Sequence, residues 1–423
     1  MSGADLPPDM PLSLPDRLTA RLISTGLDET EARNARRHVG ALTLSKLADG
    51  LVDPKLILSW LLGSLGAPAA FVALLVPIRE AGALLPQLVI GAWIGRLRYR
   101  RLVWAGGSAL QGAAAGGIAL VALMVSGWLA GALICALLAV LALARAACSV
   151  SYKDVLGKTI EQSRRGRVTG LAGSVSAALV VGFAGLLIAG TLRNEAAVIA
   201  AIALAALAWC AAAVIFAGID EAAGTPENIT SSGGYLAILR EDANLRRFIL
   251  VRGLLVSTAL APPFFVLLAT EGAGLNRLGA MLLAASLATF LGSYFWGRLA
   301  DRDSRHAMLG AGCLGAAAMA AAILLHVAGK AGGIPVALFV LMLGWNGVKQ
   351  ARTIYLVDIS DADLRARNTA LANTAIGMIL LLAGFLGGAL SVLGPVAALA
   401  GFAVMALAGG LLALTLRPVG GAR

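Results

Sequence analysis

Charge is the scarcest property of this 423-residue sequence: Asp, Glu, Lys and Arg together make up 13% of it. A water-soluble domain carries about 25%, so an ordinary soluble fold is excluded, and most soluble enzymes with it. Histidine is rarer still. His38, His306 and His326 are the only three, too scattered for a metal site or a catalytic triad. No His-Glu-x-x-His helix and no Gly-x-Ser-x-Gly elbow occurs. The four cysteines (Cys135, Cys148, Cys210 and Cys313) all sit inside apolar runs without ligand spacing, where a thiol packs as a small hydrophobe. We therefore expect no catalytic residues, no metal and no cofactor, and the chain does not read as an enzyme.

Apolar length is what the sequence has in plenty. Hydrophobic residues reach 59% and the mean hydropathy is +0.85. Stretches of roughly 20 apolar residues, each able to cross the hydrocarbon as a helix, recur along the chain. Their Ala, Leu and Gly lack the alternation of a barrel strand, and lipid leaves the backbone no partner but itself. The expected fold is an all-α integral membrane protein of about twelve transmembrane helices, with the lipid bilayer as its first partner. A net charge of +11 in a soluble chain would suggest nucleic acid. Here the basic residues occupy short loops between apolar spans, as the positive-inside rule requires, and no nucleic-acid partner is expected.

The spans fall near 41–62, 68–95, 102–125, 129–150, 168–191 and 196–217, then 247–269, 277–297, 307–328, 334–356, 369–391 and 394–416. This divides the chain into an N-terminal arm (1–40), a six-helix bundle (41–217), a polar linker (218–246), a second six-helix bundle (247–418) and a short tail (419–423). Alternate loops collect the arginines: Arg96 to Arg101, Arg164 to Arg167, Arg240 to Arg247, Arg298 to Arg305, and Arg365 with Arg367. The intervening loops hold little beyond Arg193, Arg277 and Lys330. Arm, linker and both termini are thus expected in the cytoplasm, and the chain in the cytoplasmic (inner) membrane.

The first span is ambiguous. Starting it at Leu56 avoids charge but leaves only about 15 residues for the second span, too few to cross. Starting it near Ala41 repairs the length and places Lys46, Asp49, Asp53, Lys55, Arg79 and Glu80 at membrane depth. An internal comparison favours the second choice. Asp53-Pro54 lines up with Ala261-Pro262, and Tyr152 followed by Arg164 and Arg165 matches Tyr355 followed by Arg365 and Arg367. Two halves in the same order form a parallel, pseudo-two-fold repeat.

Residues Gly297-Arg298-Leu299-Ala300-Asp301-Arg302-Asp303-Ser304-Arg305 resemble the loop signature of the major facilitator superfamily, between the second and third helices of a half. The first-half counterpart, Gly95-Arg96-Leu97-Arg98-Tyr99-Arg100-Arg101, keeps the glycine and the basic run, with Tyr99 in the acid's place. Arg145 is similar to the arginine the family often sets in its fourth helix, ahead of an Arg-Gly pair such as Arg165-Gly166. The resemblance implies a permease of unassigned substrate built from two bundles. It further implies a gating loop that uses Gly95, Arg100, Arg101, Arg165, Gly297, Asp301, Arg302 and Arg305. Asp301 would engage the start of the fifth span, near Arg164 to Thr169, by charge and by the helix dipole.

Ionisable groups within a span are costly and suggest function. Lys46, Asp49 and Asp53 share one helical face, as do Glu80 and Gln87, and Asn346, Lys349 and Thr353. With Arg79 and Arg145 they are the candidates for substrate binding and proton coupling: a carboxylate among Asp49, Asp53 and Glu80 exchanges a proton while Lys46, Arg79, Arg145 or Lys349 supplies the counter-charge. The competing reading is a permanent ion pair that holds helices together. The expected function is secondary active transport of a small-molecule substrate by alternating access, with protons as coupling ion and the chain working as a monomer. A drug or xenobiotic efflux antiporter is the alternative within that class; Gly182-Phe183-Ala184-Gly185 lacks the proline such exporters often carry. A non-transporting receptor or assembly factor is the alternative outside it. Gly310-Ala311-Gly312-Cys313-Leu314-Gly315 fits the dinucleotide pattern but has no strand before it, so it reads as a helix-packing surface.

Overall fold

The computed structural model describes residues 29–190, 194–223, 242–270, 275–359 and 365–418. Sixteen α-helices among them make twelve passes. In the first half these are α1 (Glu29–Leu51) with α2 (Ile57–Ser64), α3 (Ala69–Leu84) with α4 (Gln87–Gly95), α5 (Arg100–Met124), α6 (Gly127–Thr159), α7 (Gln162–Ile188) and α8 (Glu195–Ala217). In the second half they are α9 (Ala243–Leu255) with α10 (Ser257–Leu260) and α11 (Pro262–Thr270), then α12 (Leu275–Arg302), α13 (Ser304–Val327), α14 (Ile334–Asp358), α15 (Arg365–Ser391) and α16 (Pro395–Ala413).

Eleven of the passes are long and apolar enough to cross a membrane. The exception is the first, whose charge count is too high. Its path combines both registers considered from the sequence: α1 stops at Leu51, the chain turns through Asp53-Pro54, and α2 carries on from Ile57. The ring of Pro54 and its missing N–H account for the interruption. Asp53 holds the turn that leads into the restart, its Oδ1 accepting from the N–H groups of Lys55 at 2.7 Å and Leu56 at 3.0 Å. The seventh pass breaks in the same place, before Pro262, so the two opening passes are built alike.

Other pairs repeat as well. Gly112 on α5 lies against Ala206 and Cys210 of α8, and Gly312 on α13 lies against Ala406 and Gly410 of α16. A Cβ at either glycine would come within 3 Å of a backbone carbonyl oxygen, so small residues set the helix spacing. The Gly310 to Gly315 run is such a packing surface. Asn34 on α1 exchanges hydrogen bonds with the backbone of Asp220, beyond α8. Asn244 on α9 accepts from the backbone N–H of Arg417, beyond α16. Tyr152 packs beside His38 and Phe216, and Tyr355 stacks on Phe248.

Two boundaries differ from the sequence reading. The arm expected up to residue 40 ends sooner, because α1 begins at Glu29 and buries Asn34, Ala35 and His38 within the first half. Its early turns are polar, but Arg33 and Arg37 pair with Asp220, and Glu31 with Arg164. The linker expected from residue 218 likewise begins with Ile219 and Glu221 buried on that half; residues 224–241 lie outside the described ones. The halves meet through α3 against α15 and α7 against α12. The first and seventh passes touch mainly through α2 and α11, at the end far from the chain termini.

Candidate functional site

The charged stripe of α1 faces inward because three passes supply its partners. Asp49 is held from two sides: Arg79 Nη2 of α3 donates to Oδ1 at 2.6 Å, and Arg145 Nη2 of α6 lies 2.7 Å from Oδ2. Arg145 also donates to Ser45 Oγ at 3.1 Å. One carboxylate thus ties the first, second and fourth passes together. One turn before it, Lys46 reaches the carbonyl oxygen of Thr169 on α7 at 3.5 Å.

Lys55 and Glu80 form a looser pair at 3.8 Å that faces the second half. The Lys55 ammonium lies over the ring of Trp345 on α14, 4.7 Å from its centre, and the Arg352 guanidinium approaches the same ring at 5.4 Å. Such contacts favour cations over an indole face. Lys349, one turn along α14 from Trp345, is exposed, and Arg252 on α9 donates to Asn373 Oδ1 at 3.2 Å. A cavity of about 1150 Å³ separates the first and fifth passes from the eighth and tenth, with Lys46, Asp53, Ser286 and Thr289 in its wall. A smaller one of about 250 Å³ continues to Arg145 and Tyr152.

The structure places Lys46 and Asp53 in the wall of this space and Arg145 in that of the smaller one. It ties Asp49 to Arg79 and Arg145, pairs Glu80 with Lys55, and sets Lys349 of α14 in electrostatic reach of Lys46, Lys55 and Glu80. It gives two candidates other work. Gln87 donates to Ala83 O within its own pass at 2.8 Å, and Asn346 donates to Met342 O and, across to α12, to Thr289 Oγ1. Asp53 spends Oδ1 on the turn before α2. Sequence reasoning did not single out Arg252, Trp345 or Arg352, and it placed Lys55 at membrane depth without giving it a role. Arg352, three residues after Lys349, was within reach of the same spacing argument; Trp345, an apolar residue in an apolar span, gave no signal.

The gating residues form two basic clusters at the terminal end. Tyr99 leaves the start of α5 without its own cap, and Glu221 supplies one from beyond α8. Its Oε1 accepts from Arg100 N at 3.2 Å and its Oε2 from Arg101 N at 2.8 Å, with Lys158 Nζ 3.4 Å away. The Arg100 side chain pairs with Asp154, and the Arg101 side chain donates to Ile219 O. The acid absent from the first loop is therefore provided by the segment after the sixth pass. Arg165 closes the α6–α7 turn on Ile160 O and Gly157 O. In the second half Arg302 is exposed, and Arg305 reaches Asp303 Oδ2 at 3.2 Å and Leu416 O at 3.3 Å. Asp303 caps α13; partial burial works against its charge, but hydrogen bonds from Arg305 and His306 hold it down to about 2. The side-chain surroundings of Gly95, Gly297 and Asp301 lie outside the described residues. At the start of the fifth pass, Arg164 is met by Glu31 of α1 at 2.6 Å, a carboxylate the sequence reading did not assign to it.

Because the Glu221 side chain is fully buried, its loss leaves two helix N–H groups without their acceptor and leaves Lys158 with Asp154 alone. Glu221→Ala is expected to lower stability by about 1–2 kcal/mol, measured as the thermal midpoint of the purified protein, with Glu221→Gln between the two. Equal midpoints for all three proteins count against the cap.

No family model matches the chain. It is 29% identical over 185 residues to an uncharacterized MFS-type transporter, YddS, of Bacillus subtilis (strain 168), a stretch covering 43% of this chain. The chain thus spans 41% of the length of that curated relative. Among solved structures it is similar to a D-xylose-proton symporter (TM-score 0.69, 11% identity) and to the nucleoside transporter NupG (TM-score 0.66, 10% identity). Each similarity covers 90% of this chain and 98% of the other. The all-helical fold is that of major facilitator transporters, which bears out the family resemblance carried by the loop signature.

Proposed function

We propose that this protein, a multi-pass membrane protein of the major facilitator fold, is a secondary transporter that moves a small solute across the cytoplasmic membrane by alternating access. The observation that carries the reading is the shared cavity. Lys46 and Asp53 of the first half face it, with the Ser286 and Thr289 hydroxyls of the second half across from them, while α2 and α11 close the far end. Intramembrane charge around a water-accessible space marks a solute or ion path, and rocking of one half against the other about it exposes the site to each side in turn. The bundles extend over about 29–217 and 243–418, with the arm, the linker and both termini in the cytoplasm, and the chain works as a monomer.

Glu80 is the carboxylate best placed to exchange a proton. Asp49 is clamped by two arginines and Asp53 holds the turn before α2, whereas Glu80 has one partner at 3.8 Å and a side chain 36% exposed. The likeness to a proton symporter supports this choice. In proteoliposomes loaded with a panel of metabolites, an inward proton gradient is expected to drive accumulation of one class of solute. Glu80→Gln is expected to retain counterflow exchange and to lose the response to pH. Accumulation unaffected by pH in both proteins overturns the coupling assignment, and exchange of no solute at all overturns transport.

A further inference from the structure

Building on the transport reading, we infer that the solute is an organic anion bearing a carboxylate or phosphate group, received by Lys349, Arg352 and Arg252 of the second half. The charges where the two halves face each other do not balance locally. Asp49 serves Arg79 and Arg145, and Glu80 serves Lys55. No carboxylate among the described residues lies within salt-bridge distance of Lys349, Arg352 or Arg252. Glu80 is in coulombic reach of all three, so a single acid stands opposite a cluster of cations.

Their surroundings favour a ligand over a structural role. Arg252 is 5% exposed, and its Nε is buried without a hydrogen-bond partner among the described residues. A guanidinium has five donors in a fixed fork, and leaving one orphaned in a low-dielectric setting is costly unless an acceptor arrives. Arg352 lies over the face of Trp345, and Lys349 is an exposed ammonium one turn away. An oxyanion satisfies fork and point charge together. A cationic solute meets three uncompensated positive charges, and a neutral one leaves them uncompensated.

Arg252 and Lys349 stand nine residues from the terminal end of their helices (from Ala243 on α9, to Asp358 on α14), and Arg352 six. At 1.5 Å rise per residue this is roughly 9–14 Å of depth, with Arg252 and Lys349 near the middle of the bilayer and Arg352 about one turn nearer the surface. Thr353 is also exposed on α14, so the cluster is open towards the terminal end in this arrangement. An anion approaching from that side meets the basic loops before it meets the cluster.

Thermal stabilisation of the purified protein by benzoate, succinate, glycerol 3-phosphate, xylose and tetraethylammonium tests the inference, followed by counterflow of each in proteoliposomes. Stabilisation and exchange are expected from at least one anion and from neither xylose nor tetraethylammonium. The succinate and glycerol 3-phosphate arms separate carboxylate from phosphate. Lys349→Gln, at an exposed side chain, and Arg352→Gln are each expected to weaken the anion's apparent affinity about 10- to 100-fold, with Arg352→Lys in between. Exchange of xylose or tetraethylammonium but of no anion overturns the inference and leaves transport standing. Exchange of nothing overturns transport as well, and an anion bound equally by both glutamine variants removes these residues from the site.

Discussion

Asp49→Asn is expected to destabilise the protein by about 3 kcal/mol or more, a larger effect than that of any other single carboxylate in the first half. Removing one partner of a buried ion pair typically costs 3–5 kcal/mol, because the other partner keeps its desolvation penalty without its counter-charge. Here one carboxylate is shared, so two guanidinium groups, 15% and 30% exposed, lose it together. Asparagine preserves the shape and one acceptor oxygen. What it removes is the charge holding Arg79 and Arg145 on one spot. The double variant Asp49→Asn with Arg79→Gln is expected to recover part of the loss, since only one cation then remains unmatched. A coupling energy of at least 1 kcal/mol in the cycle is the signature of direct interaction. Denaturation midpoints of the four proteins in detergent measure it, and a change of less than about 0.5 kcal/mol for Asp49→Asn, the range of an ordinary surface substitution, refutes the clamp.

That arrangement also sorts three acids that look equivalent in one dimension. Lys46, Asp49 and Asp53 share a helical face, and helix periodicity alone placed them together in the membrane. Periodicity does not say what each one meets. Asp49 meets two arginines from other passes, Asp53 meets the backbone just after Pro54, and Glu80 meets a lysine across a break in the first pass. Arg145 was legible because the family places an arginine there. Arg252 was not: it lay inside the expected span near 247–269, and the reading looked for several polar groups on one helical face.

Twelve passes and two halves were readable because apolar length and loop charge are properties of the chain itself. The ends of the elements were less so. α1 starts at Glu29 and α6 runs on to Thr159, both well beyond their apolar runs, because ion pairs with neighbouring segments rather than lipid stabilise those turns. The cap on α5 was hidden for a related reason. Tyr99 in the first loop looked like a lost acid, and the acid that replaces it, Glu221, stands at the start of what read as a polar linker. A contact between positions so far apart in sequence leaves no mark on local composition.

Gly384→Val is expected to abolish transport, lowering it at least tenfold, while the protein stays folded. Gly384 on α15 faces Pro77 on α3, and a Cβ placed there would lie 2.7 Å from Pro77 Cβ and closer still to Pro77 Cγ. Proline has no rotamer to move aside, and Pro77 sits inside α3. Two turns earlier, Gly377 meets Leu85 in the same way, so α15 offers a smooth glycine seam to the second pass. This seam joins the two halves, and alternating access requires it to rearrange. Overpacking here therefore penalises one arrangement of the halves, not the interior of either bundle. A penalty of about 1–3 kcal/mol changes the balance between two states by roughly 5- to 150-fold, since each 1.4 kcal/mol is a factor of ten. Gly388→Ala is the internal control, one turn further along α15 with nothing closer than 3.9 Å, and it is expected to transport normally. Labelling of a cysteine introduced at Thr353, exposed in the present arrangement, reports the shift: Gly384→Val is expected to change its rate about tenfold and Gly388→Ala to leave it unchanged. If both variants label and transport alike, the seam between α3 and α15 is not where the halves move.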